Sequence, residues 1–355
     1  MRIAQVAPLY ESVPPKLYGG TERIVHNLTE ALVGLGHEVT LFASGDSLTS
    51  AELVPIGESA LRLAGTRECL APHLLMFETL RRLSHRFDLV HFHTEYMHMP
   101  MAKMLGVPSV FTLHGRQDLP EYQSFYKEFA DTPLVSISLS QRRPLPFANW
   151  VGNVYHGLEA SHLSLVEEKG DYLAFVGRIS PEKGIEHAIE IAKRAGIKLK
   201  IAAKIEPIDW DYYQSMRSLL EGPGVEFVGE INEQQKGEFM GRAKALLFPI
   251  TWPEPFGLVM IESAACGTPV VAFRNGSVPE VIRDGETGFI VDDVEGAVRA
   301  LGRLDSISPL ACRRAFDERH SAERMAGDYV KIYESLRVLP SGQRPAVIDL
   351  KSASA

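Results

Sequence analysis

The 355-residue chain predicts two α/β domains, each a parallel sheet covered by helices on both faces. Three observations carry this. A domain usually holds roughly 100–200 residues, so the length suits two. Short apolar runs alternate with amphipathic stretches, which is the pattern of a doubly wound sheet. The alternation then starts afresh after Lys169-Gly170-Asp171.

The elements follow in order. Ile3–Ala7 reads as a strand. Residues 21–35 read as a helix, with Ile24, Val25, Leu28, Ala31, Leu32 and Leu35 at helical spacing, and Gly36 ends it. Val39–Ala43 is a strand, 72–87 a helix, Leu89–Phe92 a strand and 97–105 a helix. Ser109–Leu113 and Leu134–Ile137 are further strands. In the second half, strands are expected at 172–176, 199–203, 225–228, 245–249, 270–273 and 289–291. Helices are expected at 184–195, 212–220 and 234–243, near Pro255 and Val278, and at 325–336. The expected division is an N-terminal domain 1–165, a C-terminal domain 166–325, a closing helix 326–339 and a mobile tail 340–355 rich in Pro, Ser and Ala. Doubly wound sheets bind ligands at the carboxyl ends of their strands. Two of them facing closely suit a cleft for two substrates.

Composition narrows the class. Apolar residues make up 45% and charged residues 23%, with a net charge of −8. That acidic balance argues against a nucleic-acid surface. Arg81, Arg82, His85 and Arg86 form a local basic stretch, which reads as a solvated helix face or, alternatively, as a contact for an anionic acceptor or a membrane surface. Cys69, Cys266 and Cys312 lie far apart without a C-x-x-C, so neither a disulfide framework nor a zinc site follows and a reducing cytoplasm fits best. No apolar run approaches the roughly 20 residues of a membrane span, and no signal peptide is evident.

Three motifs carry chemistry. In Glu254-Pro255-Phe256-Gly257-Leu258-Val259-Met260-Ile261-Glu262 two carboxylates bracket a helix start. Pro255 suits a first helical turn. Free N–H groups near Gly257 and Leu258, with the helix dipole, suit a diphosphate. Glu254 can accept from sugar hydroxyls and Glu262 from ribose hydroxyls; two solvated acids are the bland alternative. In Val176-Gly177-Arg178-Ile179-Ser180-Pro181-Glu182-Lys183-Gly184, Arg178 follows a buried strand and Lys183 opens the next helix. Two cations there can neutralise a diphosphate and stabilise it as a leaving group; the alternative is a strand-end salt bridge with Glu182 or another acid. In Tyr18-Gly19-Gly20-Thr21 the glycines allow close backbone approach to a ligand, or simply a turn. No G-x-G-x-x-G occurs, which removes the nicotinamide fingerprint.

Two histidine sites follow strands. His91-Phe92-His93 has Glu95 and His98 nearby, and Thr112-Leu113-His114-Gly115 ends another strand. An acceptor-facing His93 and a donor-facing His114 are the favoured reading; core histidines and a metal site of His91, His93 and His98 are the alternatives. The stretch Asn275-Gly276-Ser277-Val278-Pro279-Glu280 could line a donor pocket.

Taken together, the Gly-Gly turn, the Gly-Arg…Lys-Gly segment and the E-x7-E segment with its following Cys266-Gly267-Thr268-Pro269 resemble the retaining glycosyltransferases of the GT-B fold, sequence family four. The opening Pro14–Arg23 is similar to a subgroup that includes an avilamycin glycosyltransferase. The resemblance implies a nucleoside-diphosphate sugar as co-substrate, with no cofactor and no essential metal. It implies that Gly19, Gly20, Gly177, Phe256, Gly257, Leu258 and Glu262 line the donor, that His114 touches the sugar, that Arg178 and Lys183 bind the diphosphate, and that Glu254 contacts the donor sugar. It also implies that the last helix returns to the N-terminal domain. The sequence departs from the family at Ala202-Ala203-Lys204 and at Gly276-Ser277, where glycine pairs are common. The expected reaction moves a hexosyl group, from a UDP-sugar first and GDP-mannose second, to a sugar, lipid or small-metabolite acceptor with retention. A nucleotide-sugar epimerase and a non-catalytic nucleotide-sugar-binding subunit are the rivals, with a nicotinamide oxidoreductase behind them.

Overall fold

The computed structural model describes residues 1–16 and 19–338. Tyr18 and the tail 340–355 lie outside the described residues. The chain divides into two compact units, one of residues 1–158 with the chain from Ala322, the other Glu159–Ser321.

In the first unit the strands are β1 (Arg2–Val6), β2 (Glu38–Ala43), β3 (Glu52–Pro55), β4 (Leu89–Phe92), β5 (Ser109–Thr112), β6 (Leu134–Ser136) and β7 (Trp150–Asn153). They form one parallel sheet in the order β3-β2-β1-β4-β5-β6-β7. The helices are α1 (Gly20–Gly34), α2 (Leu70–Leu83), α3 (Met99–Ala102), α4 (Pro120–Glu128) and α5 (Leu139–Arg142). Helix α1 buries Ile24, Val25, Leu28 and Leu32, and Gly36, at φ 84°, supplies the left-handed turn that ends it. On one face of the sheet Val6, Phe42, Phe92, Phe111 and Leu134 pack against Met76, Phe77 and Leu80 of α2.

In the second unit the strands are β8 (Tyr172–Arg178), β9 (Lys198–Lys204), β10 (Val225–Gly229), β11 (Ala245–Phe248), β12 (Val270–Phe273) and β13 (Gly288–Val291), in the parallel order β10-β9-β8-β11-β12-β13. The helices are α6 (Ile185–Ala195), α7 (Trp210–Leu220), α8 (Glu233–Gly241), α9 (Leu258–Ala265), α10 (Val278–Val281), α11 (Val294–Leu301) and α12 (Pro309–Arg319). Helix α6 buries Ile185, Ala188, Ile189 and Ala192 on the sheet and stops at Gly196, φ 65°. Asn232 and Gln235 close a reciprocal capping box on α8. The last helix, α13 (Ala322–Val338), belongs to the first unit. There Tyr329 and Tyr333 are fully buried.

Several elements differ from the sequence reading. The first unit ends at Leu158 rather than at 165, because residues 159–166 already bond within the second. The Val166 amide donates to the Cys266 carbonyl and the Arg313 guanidinium to the Leu163 carbonyl. The helix expected over 97–105 shrinks to α3, with turns on either side. The helix expected at Pro255 starts instead at Leu258: Gly257, at φ 80°, is its N-cap, and Pro255 lies in the preceding loop. Strands β3 and β7 and helices α4, α5, α11 and α12 were not anticipated.

Candidate functional site

In the second unit the candidate residues gather at the carboxyl end of the sheet. Strand β8 ends on Arg178, and a single 3-10 turn (Pro181–Lys183) follows. Gly184, at φ 66°, then turns the chain into α6. A Cβ there would collide with the Pro249 carbonyl, so glycine is required on both counts. The turn therefore sits directly against the end of β11, and the Thr251 amide donates to the Glu182 carbonyl at 3.0 Å.

This packing brings Lys183 to Glu254. The two form an ion pair with side chains only 18% and 12% exposed. Trp252 completes the arrangement: its indole N–H donates to Glu254 at 3.1 Å, and the Lys183 ammonium stands 5.3 Å from its ring. Arg178 is ion-paired with Glu182, and with Asp209 at 3.0 Å. The Glu254 loop is fixed from below. Ser277 donates its amide to the Glu254 carbonyl at 3.0 Å and its hydroxyl to the Phe256 carbonyl at 2.7 Å. Gly276, at φ 54°, lies so close that a Cβ would strike the Glu254 backbone. Phe256 is buried, its ring edge-on to His320. It anchors the loop in the core.

From Gly257 the chain enters α9. The first amides, at Leu258 and Val259, have no carbonyl one turn earlier to bond, and the helix dipole adds partial positive charge there. One turn along the same helix, Glu262 is 1% exposed and accepts from the Lys236 ammonium of α8 at 2.9 Å. Lys236 also holds Glu233, at 2.8 Å. Gly177, next to Arg178, has open surroundings beyond Phe175.

In the first unit, His93 and His114 follow β4 and β5, which are neighbours in the sheet. His93 Nδ1 and His114 Nε2 are 2.9 Å apart, and His93 Nε2 reaches Gln5 Oε1 at 2.8 Å. The His114 ring stacks on His156, centroids 5.3 Å apart. Burial lowers the His114 ring to about 3 and holds His93 well below the usual imidazole range. Both rings are therefore neutral at pH 7. The backbone at His114 is pinned as well. Glu95, at φ 51°, accepts from the His114 and Gly115 amides at 2.6 and 2.8 Å. His91 lies behind them, bonded to Tyr333 and Thr112 at 2.7 Å each. His98 is engaged elsewhere, with Thr94 and the His73 carbonyl. The three histidines weighed as a metal set therefore do not converge. Among the described residues no group of three or more His, Cys, Asp or Glu is arranged for a metal ion. Gly19 packs against Pro15, where a Cβ would come within 2.7 Å, and Gly20 opens α1.

Sequence reasoning missed Asp209, Lys236, Trp252, Gln5 and Tyr333. Only Trp252, two residues from Glu254, carried a signal that could have been read. The others arrive from distant elements.

An α/β chain of two parallel sheets, with paired cations, a carboxylate and a helix start at one sheet end, has the architecture of a GT-B glycosyltransferase. Residues 160–307 match the family model "Glycosyl transferases group 1", and residues 18–150 match "Glycosyltransferase Family 4". The chain belongs to the GT-B glycosyltransferases of these families. It is 26% identical over 388 residues to a glycogen synthase of Mycobacterium tuberculosis, covering 93% of this chain and 91% of that protein. Among solved structures it resembles AviGT4, a glycosyltransferase involved in avilamycin A biosynthesis, with 25% identity, TM-score 0.72, and 95% and 98% of the two chains covered. It also shares the fold of a sucrose-phosphate synthase from Thermosynechococcus elongatus, with 18% identity, TM-score 0.73, and 95% and 99% covered. No described helix is long and apolar enough to cross a membrane.

Proposed function

We propose that this glycosyltransferase moves a hexosyl group from a nucleoside-diphosphate sugar to an acceptor hydroxyl, with retention at the anomeric carbon. UDP-sugars are the first donors to test and GDP-mannose the second. The acceptor is a sugar, a lipid or a small metabolite. The bond from the anomeric carbon to the diphosphate oxygen breaks and its electron pair stays on that oxygen. The acceptor oxygen bonds to the same face of the carbon, and its proton passes to the departing phosphate oxygen.

The observation that supports this most is the convergence of Arg178, Lys183 and Glu254 beside the start of α9. Lys183 and Arg178 take the charge that grows on the leaving diphosphate, with the Gly257 and Leu258 amides adding donors, and no metal is needed for that role. Glu254 contacts the donor sugar, and Glu262, steadied by Lys236, takes the ribose. Gly19, Gly20, Gly177 and Phe256 shape the donor's surroundings, and His114 touches the sugar. As the diphosphate arrives it competes with Glu182, Asp209 and Glu254 for the two cations.

The test is incubation with UDP- and GDP-sugars and a panel of sugar, lipid and small-molecule acceptors, with and without a chelator. The anomeric coupling of the product is read by proton NMR. A product of the donor's own anomeric configuration, formed in chelator, is expected. An inverted product, or transfer abolished by chelator, contradicts the mechanism. Conversion of the donor alone into an isomeric donor turns the reading to an epimerase.

A further inference from the structure

The neutral His114 ring has two nitrogens and one proton to place between them. What surrounds the ring decides where the proton sits. Gln5 is buried on β1 with its amide oxygen 2.8 Å from His93 Nε2 and its amide nitrogen 3.2 Å from the Tyr333 hydroxyl. An amide oxygen only accepts, so His93 carries its proton on Nε2 and donates to Gln5. A neutral His93 then has a lone pair on Nδ1, 2.9 Å from His114 Nε2. The proton in that contact belongs to His114. Its other nitrogen, Nδ1, is buried and has no hydrogen-bond partner among the described residues.

The same Gln5 orientation fixes the other side of the chain. The Gln5 amide nitrogen donates to the Tyr333 oxygen, which leaves the Tyr333 proton for His91 Nδ1 at 2.7 Å. His91 Nε2 then donates to Thr112 at 2.7 Å, and Thr112 meets Tyr329 at 2.8 Å. Each bond along this path then pairs a donor with an acceptor. Reversing the Gln5 amide would reverse each bond and leave His114 with a buried N–H and nothing to receive it. An orphaned buried N–H is the rarer defect.

We propose that Gln5, His93 and Tyr333 form a positioning chain that fixes His114 in the tautomer protonated on Nε2, leaving Nδ1 as the acceptor that ring offers to a hydroxyl of the transferred sugar. His93 is thereby a positioning residue and does not contact the acceptor: it is 1% exposed and both its ring nitrogens are spent within the protein. Helix α13 enters the same assignment through Tyr333, so the last described helix has a part in the site as well as in the packing of its unit. The link to the sugar rests on the transferase reading above; the tautomer does not.

The tautomer is read directly on the full-length protein, 15N-labelled at histidine, from long-range proton–nitrogen correlations of the imidazole rings. His114 is identified by its loss in His114→Gln. The expected pattern is a neutral ring with the proton on Nε2. A ring protonated on Nδ1, or charged at pH 7, overturns the proposal. His93→Phe should release the tautomer into a mixture, and His93→Gln, which can both donate and accept, should retain more of it. An unchanged His114 pattern in His93→Phe also overturns the proposal. In a transfer assay His93→Phe should lower kcat by roughly 10- to 100-fold, as misplacement of a contact group does, with donor KM changed far less and partial rescue in His93→Gln. The spectrum needs no substrate. A wrong tautomer in an active enzyme therefore defeats the chain alone, and a correct tautomer in a protein that transfers no sugar defeats the functional reading alone.

Discussion

Replacing Lys236 tests how Glu262 is kept in place. The Glu262 carboxylate is 1% exposed and accepts from Lys236 at 2.9 Å, whereas the Lys236 side chain keeps 11% of its surface and holds Glu233 too. The two halves of the pair are therefore unequal. Lys236→Met strips the ammonium from a carboxylate that is almost fully buried. Breaking a buried pair costs about 3–5 kcal/mol, and the residual exposure of Lys236 points to the lower end, about 3 kcal/mol. For a unit of this size 1 kcal/mol moves the midpoint by roughly 2–4 °C, so a fall of roughly 6–12 °C is expected. Glu262→Gln leaves Lys236 with Glu233 and some water, and costs about 1–2 kcal/mol. The double variant Lys236→Met with Glu262→Gln removes the buried charge altogether and should lie above Lys236→Met alone. Differential scanning calorimetry of the three variants and the parent gives the cycle. A Lys236→Met midpoint within a degree of the parent, or a double variant less stable than Lys236→Met, would refute this account of Glu262.

Three further perturbations follow from the geometry. Lys183→Ala should lower kcat by roughly 10²-fold or more, the scale of a lost charge stabiliser, with Lys183→Arg intermediate; unchanged turnover in a steady-state assay would remove Lys183 from the reaction. Gly276→Ala places a Cβ against the Glu254 backbone at φ 54° and should raise donor KM by about 10-fold through a shifted Glu254, which a titration with the donor nucleotide measures independently. Burial lifts the Glu22 carboxyl from its ordinary 4.5 to about 7. Its protonated form is thus favoured in the folded state, and the contribution to stability is full below about 4.5 and lost as the pH rises through about 7. Melting curves across that window should decline more steeply for the parent than for Glu22→Gln; parallel curves would place the carboxyl elsewhere.

Much of the fold was legible because its core elements obey simple periods. Helices α1 and α6 repeat their apolar residues at helical spacing, and β4, β8 and β12 are short apolar runs. The elements that escaped break those rules. Strand β3 is an edge strand with exposed Glu52 and Pro55, so it lacks a buried run. Helix α12, PLACRRAFDER, carries five charged residues and buries only three. At the start of α9 the proline signal was read too literally, since the left-handed Gly257 after it sets the boundary. The site divides in the same way. Glu254, Arg178 and Lys183 announce themselves by position after strands and beside helix starts. Asp209, the counter-ion of Arg178, Lys236, the counter-ion of Glu262, and the Gln5–His93–His114 contact depend on strand order and register. His93 and His114 stand 21 residues apart in sequence, and only the β4–β5 pairing brings their rings together.

The central claim, a nucleoside-diphosphate sugar bound by Arg178, Lys183, Glu254 and Glu262, is tested most directly by thermal shift with UDP, GDP and ADP and their common sugars. Ligand that binds only the folded protein stabilises it by RT ln(1 + [L]/Kd), about 2.7 kcal/mol at a hundredfold excess over Kd. One nucleotide family should raise the melting midpoint, and Glu262→Ala should abolish the rise. No shift with any of the three at millimolar concentration, or a shift that survives in Glu262→Ala, would contradict the donor site as assigned.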